Sequence, residues 1–168
     1  MLISDDEEPS RVQYDKISKL KPAFVQNGTI TAANASKLND GASVVLIMSY
    51  SKAQELGLEP LAYVVEHVSC AHEPEWFTTA PRKAIQRVLH KSKMKHTDID
   101  LWEINEAFSV VAMAAIDDLK ISPSKVNIYG GAVALGHPIG ASGARILTTL
   151  IHGMGKTSSN LGLASLCI

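Results

Sequence analysis

Gly130-Gly131-Ala132-Val133-Ala134-Leu135-Gly136-His137-Pro138-Ile139-Gly140-Ala141-Ser142-Gly143 is the stretch on which the reading of this chain turns. Five glycines around one histidine and one proline require a backbone that bends sharply and comes close to something, with a single titratable group at its centre. Pro138 fixes the loop just after His137, and Ser142 stands where it can cap the apolar helix that follows. Alone, a Gly-His-Pro turn is as well explained by a structural histidine. Two other residues change that balance. Asn105 lies where an apolar strand gives way to a helix in Trp102-Glu103-Ile104-Asn105-Glu106-Ala107-Phe108, and Cys167 closes the apolar run 161–167. The carboxyl ends of strands form the ligand-binding rim of an open α/β sheet, so Asn105, His137 and Cys167 are expected to converge there. An amide, an imidazole and a thiol in one pocket are the equipment of acyl chemistry.

The composition narrows the alternatives. A net charge of −1 with 46% apolar residues fits a soluble globular protein and argues against a nucleic-acid partner. No apolar run reaches the ~20 residues a membrane helix needs, so no membrane partner is expected either. Cys70 and Cys167 are the two cysteines, read as free thiols of a reducing compartment. The acidic start 1–9 lacks the basic character of a secretory signal or mitochondrial presequence, which points to the cytosol if Met1 is a true start.

Along the chain, residues 1–38 are polar and punctuated and predict an extended loop region. The apolar run 44–48 predicts a strand buried on both faces, residues 51–56 a short helix stopped by Gly57, and residues 61–68 a further strand. Pro81 opens a helix with Ala84, Ile85, Val88 and Leu89 on one face, and the basic cluster 90–96 after it suits solvent and the helix dipole. Strands at 99–104, 126–129 and 161–167 alternate with helices at 107–119 and from Ser142 to about Gly153. Such alternation predicts a layered α/β fold. Gly153-Met154-Gly155-Lys156-Thr157 lacks the earlier glycine of a P-loop, and no G-x-G-x-x-G follows a strand, so no redox cofactor is expected.

Asn105-Glu106-Ala107-Phe108, the stretch 130–143 and the terminal Leu166-Cys167-Ile168 together resemble the second half of a thiolase, in its acetyl-CoA acetyltransferase branch. The resemblance extends upstream through Leu20-Lys21-Pro22-Ala23-Phe24 and residues 28–36 and covers essentially the whole chain. It implies a layered αβαβα fold, represented mainly by its C-terminal half. Residues 1–38 would be the end of the loop domain that covers CoA, 39–61 the last strand and helix of the first half, and 62–168 the second half. Sheet partners of the 44–48 strand would then lie outside this stretch, leaving an apolar edge.

The resemblance also implies the chemistry. Cys167 is expected to transfer the α-proton of one acetyl group. His137 is expected to donate to the thioester oxygen as it becomes an oxyanion and to help activate the acyl-carrying cysteine. Asn105 would hold a water that supplies the second donor, with Glu106 and Phe108 orienting it and walling the pocket. Arg11 and Lys16 would meet the phosphorylated end of CoA and Ser36 its pantetheine arm. Residues 5–8, Arg11-Val12 and 32–36 are most similar to the mitochondrial type, which implies potassium at the carbonyls of Ala32, Ala33, Ala35 and Val133. The family's acyl-carrying cysteine lies upstream of Met1, its glycine run lies beyond Ile168, and Cys70 lacks the nucleophile motif. The expected partners are acetyl-CoA and acetoacetyl-CoA, with a homo-oligomer in the complete protein and a mitochondrial or cytoplasmic location.

Overall fold

Leu101–Ile104, buried at all four positions, sets the centre of the fold. A computed structural model describes residues 2, 4–6 and 8–167. Glu7 of the acidic start and Ile168 of the terminal motif lie outside the described residues. The chain runs through single turns α1 (Glu8–Arg11) and α2 (Tyr14–Ile17), helix α3 (Tyr50–Glu55), a 3₁₀ segment (Pro74–Thr79) and helix α4 (Ala80–Ser92). Strand β1 (Leu101–Ile104), helix α5 (Ser109–Leu119), the turn α6 (Ala132–Leu135), helix α7 (Ser142–Thr157) and strand β2 (Gly162–Ser165) follow.

β1 and β2 pair in parallel, with Leu101 opposite Gly162 and Ile104 opposite Ser165. Asp100 fixes this register, because its carboxylate accepts from the Asn160 N–H at 2.9 Å and the Leu161 N–H at 3.1 Å. Side chains on a strand alternate in direction, so Trp102 and Ile104 share one face and Leu101 and Glu103 the other. The first face packs into a core with Ile85 and Leu89 of α4, Val111, Ala112 and Ala115 of α5, and Cys167. Against the second lies α7, which buries Ser142, Ile146, Leu150 and Gly153 as one stripe at helical spacing. The two parallel strands therefore lie between helices on both faces.

Three expected strands do not form. Residues 44–48 and 61–68 have no ladder among the described residues, and Val44, Leu46 and Ile47 are 90%, 82% and 73% exposed. A β-branched run has the propensity for a strand but becomes one only beside another strand that meets its N–H and C=O groups. The 126–129 strand shrinks to one parallel bridge between Trp102 and Val126. Asn127 then turns to a φ of 47°, and its side chain takes over the ladder: Oδ1 accepts from Ile104 N–H and Nδ2 donates to Ile104 C=O, both at 2.8 Å. The expected helix end near Gly153 moves to Thr157, since Gly153 is buried on the sheet side of α7 and the left-handed turn comes at Ser158.

Gly136 ends α6 at a φ of +92°, and a Cβ there would sit 2.5 Å from the Asn39 amide. Gly136→Ala is expected to lower stability by about 1–3 kcal/mol, because both the left-handed backbone and the contact oppose a side chain. The midpoint of urea unfolding checks this.

Candidate functional site

The parallel pairing brings the carboxyl ends of β1 and β2 to one edge. Asn105 continues β1 there, its N–H donating to the Ser165 carbonyl at 2.9 Å. Its side chain, in a residue 1% exposed, reaches the His137 ring, with Nδ2 3.4 Å from Nε2. Asn105 Oδ1 is buried and meets no hydrogen-bond donor among the described residues. A buried carbonyl of this kind keeps an acceptor on offer at the site.

His137 is held from behind. Its Nδ1 lies 2.6 Å from the Ser142 hydroxyl, and that hydroxyl donates to the Pro138 carbonyl at 3.0 Å. With its one proton given to Pro138, Ser142 accepts from Nδ1–H, which leaves Nε2 as the ring's acceptor, facing Asn105 Nδ2. Burial, and secondarily the Arg145 guanidinium, hold the His137 pKa below the usual imidazole value. The ring therefore rests neutral, and it donates from Nε2 only after taking up a proton there. Ser142 was expected as a helix cap. It is instead the first residue of α7, buried, with its hydroxyl spent on His137 and Pro138.

Cys167 emerges two residues beyond Ser165 at the same edge, as a free buried thiol packed in the core cluster with Trp102 and Ile104. Burial raises its pKa, with a partial offset from its own backbone N–H. Apolar surroundings disfavour the thiolate. Asn105 and His137 are thus in contact, whereas Cys167, just beyond β2, packs in the core cluster with Trp102 and Ile104.

Glu106, expected to orient Asn105, bonds Asn127 and the glycine stretch. Its carboxylate accepts from Asn127 Nδ2 at 3.1 Å and from Val133 N–H at 3.2 Å, which ties the glycine stretch to the end of β1. A Cβ on Gly131 would collide with that carboxylate, which accounts for glycine there. Phe108 stacks edge-on with Phe24 and Phe77, forming an aromatic wall beside the turn.

The loop region reaches both halves of the site. Ser36 N–H and its hydroxyl both bond the Ala107 carbonyl, at 3.1 Å and 2.9 Å, and Ser109 N–H bonds the Asn34 carbonyl at 2.9 Å. His137 N–H donates to the Lys37 carbonyl at 2.7 Å. Residues 34–37 therefore clasp the Asn105 turn and the His137 loop at once. Arg11 pairs with Glu8 at 3.5 Å, and Lys16 is exposed on α2. Both side chains are exposed on the surface of the loop region. The sequence reading missed Asn127, Lys37 and the support of His137 by Ser142. Only a charged residue inside the apolar run, Glu103, was a visible anomaly.

The sequence profile described as "Thiolase, C-terminal domain" matches residues 58–168, and that described as "Thiolase, N-terminal domain" matches residues 1–51. The mitochondrial acetyl-CoA acetyltransferase of Rattus norvegicus is 49% identical over 168 residues, covering 99% of this chain and 39% of the relative. The acetyl-CoA acetyltransferase of Schizosaccharomyces pombe is 46% identical over 166 residues, covering 99% of this chain and 42% of the relative. Among solved structures, the acetyl-CoA acetyltransferase of Bacillus anthracis superposes with a TM-score of 0.89 at 43% identity, over 95% of this chain and 40% of that one. Acat5 thiolase of Ascaris suum, solved in complex with coenzyme A, superposes at 0.88 with 46% identity, over 98% of this chain and 43% of that one. The chain spans about two fifths of the length of these relatives. Its α/β architecture is that of the thiolase fold, and with a family profile over most of its length the chain belongs to the thiolase family.

Proposed function

We propose that this chain supplies the acid/base half of a thiolase-type site that condenses two acetyl-CoA into acetoacetyl-CoA and CoA, or runs the reverse thiolysis. The observation that carries this reading is the contact between Asn105 and His137, with the Asn105 carbonyl buried and still able to accept. Cys167, as thiolate, takes a proton from the acetyl methyl, and the electron pair moves onto the thioester oxygen. That oxygen is stabilised by a proton that His137 Nε2 first takes up from the thiol of the acyl-carrying cysteine, and by a water held at Asn105 Oδ1. The acyl group needs a second cysteine as carrier. Cys70 is not offered for that part, so the chain by itself is expected to leave the full transfer undone.

CoA belongs to the same proposal, with Arg11 and Lys16 toward its phosphates and Ser36 beside the pantetheine arm. So does the division of the chain at 38 and 61. Potassium is proposed at the carbonyls of Ala32, Ala33, Ala35 and Val133, an oxygen set suited to a hard cation. The His137 N–H goes to Lys37 and not back to Val133, which leaves the Val133 carbonyl without that helical partner. When bound, the cation would brace the loop region against the glycine stretch. A homo-oligomer and a mitochondrial setting are proposed by analogy with relatives whose names carry that location.

In D2O, the chain is expected to exchange the methyl protons of acetyl-CoA faster than buffer does, read by mass spectrometry. Asn105→Ala or His137→Ala should each slow that exchange by about 10²–10³-fold, the usual effect of losing one oxyanion donor. Exchange at the buffer rate by folded chain that still binds CoA in equilibrium dialysis would sink the reading. It would favour the alternative of a chain that only binds CoA or associates with other thiolase segments, for which the exposed run 44–47 speaks.

A further inference from the structure

Glu103 is an unusual residue for its place. It lies mid-strand in β1, is 2% exposed, and faces α7 two residues before Asn105. Its carboxylate lies 3.5 Å from Arg145 Nη1. A buried ion pair holds a fold no better than apolar residues of similar volume, so stability does not account for it.

Arg145 stands on α7 one turn after Ser142, the residue that holds His137 Nδ1. Its N–H bonds the Ala141 carbonyl, and its side chain lines a cavity with Gly136 and Pro138, the two neighbours of His137. Arg145 Nε is buried and finds no acceptor among the described residues. The guanidinium is therefore a poorly compensated cation set behind the imidazole loop and anchored to the strand that carries Asn105.

We propose that Arg145 is a positioning residue for His137: paired with Glu103 on β1, it fixes the first turn of α7, and with it the Ser142 hydroxyl that holds the ring, against the strand that carries Asn105, and it sets a positive charge behind the imidazole loop. The inference deepens the acyl-transfer reading above, and its test needs no turnover. The charged groups facing this corner are Arg145 on α7, Glu103 on β1, Glu106 after β1, and Asp40, which lines the same cavity. Burial pushes the Glu103 pKa up to about 7, against the pull of Arg145 and with a smaller push from Glu106. Glu103 is thus only partly ionised near neutral pH, and its carboxylate offsets the guanidinium only in part.

The test is the NMR titration of the His137 ring, picked out among six histidines by the signal lost in His137→Asn. Arg145→Gln alone leaves a buried carboxylate unpaired, so the main variant is Glu103→Gln with Arg145→Gln, which keeps the pair polar and removes both charges. Its His137 midpoint is expected to rise by about half a pH unit or more, whereas Arg145→Lys, which retains the charge, keeps the low midpoint. An unchanged midpoint in the folded double variant, or an equal rise in Arg145→Lys, overturns the inference. If the double variant does not fold, Arg145→Gln and Arg145→Lys are compared in its place, with the same two outcomes. Methyl exchange lost with the titration intact would instead count against the acyl-transfer reading.

Discussion

Cys167→Ala is expected to slow the exchange of acetyl-CoA methyl protons by about 10²–10⁴-fold, the range attached to a positioned general base. The substitution removes the only group proposed to take the α-proton while leaving the contact of Asn105 with His137 in place. Cys167→Ser separates proton transfer from packing, since it keeps the size and gives up the acidity. The pH profile carries the sign. Burial raises the thiol pKa, so the thiolate proposed as the base is the minor form at neutral pH. The exchange rate should climb about tenfold per pH unit and level off only above the ordinary range of a free cysteine, near 8.5. A wild-type rate already flat at pH 7, or an alanine variant as fast as wild type, would remove Cys167 from the chemistry.

Trp102→Ala should cost about 3–5 kcal/mol, the largest stability loss of any single change in the chain. Trp102 is fully buried at the centre of β1 and packs between α4 and α5, in a core whose other members are mostly Ala, Val, Ile and Leu. No neighbour has the volume to collapse into the space it would leave. Its indole N–H is also buried without a hydrogen-bond acceptor among the described residues. Trp102→Phe removes that unpaired donor and keeps most of the apolar area, so it should be much milder, by a few kcal/mol. Urea unfolding followed by far-UV circular dichroism distinguishes the two. A Trp102→Ala midpoint close to wild type would mean that the core is centred elsewhere.

The elements that the sequence specified locally are the ones that formed as expected. Helices α4, α5 and α7 carry their apolar residues at helical spacing, and β1 and β2 are short apolar runs bounded by polar turns. The meeting of Asn105 with His137 was legible because one lies at a strand end and the other in a glycine frame. Residues 44–48 and 61–68 were misread because β propensity belongs to a residue, whereas a ladder belongs to a pair. Asn127 escaped notice because a side-chain amide that replaces a ladder leaves no periodic trace. The direction of the Cys167 shift depends on what surrounds the thiol, and those neighbours, Trp102 and Ile104 among them, come from a different strand.

The clasp of residues 34–37 has a bearing on engineering. Three main-chain bonds from one short segment fix both the amide turn and the imidazole loop. A chimera that trades residues 1–38 for the loop of another thiolase would have to bring those bonds with it. The packing of that loop and the placing of His137 would therefore be inherited together, and a graft designed for one alone would forfeit the other.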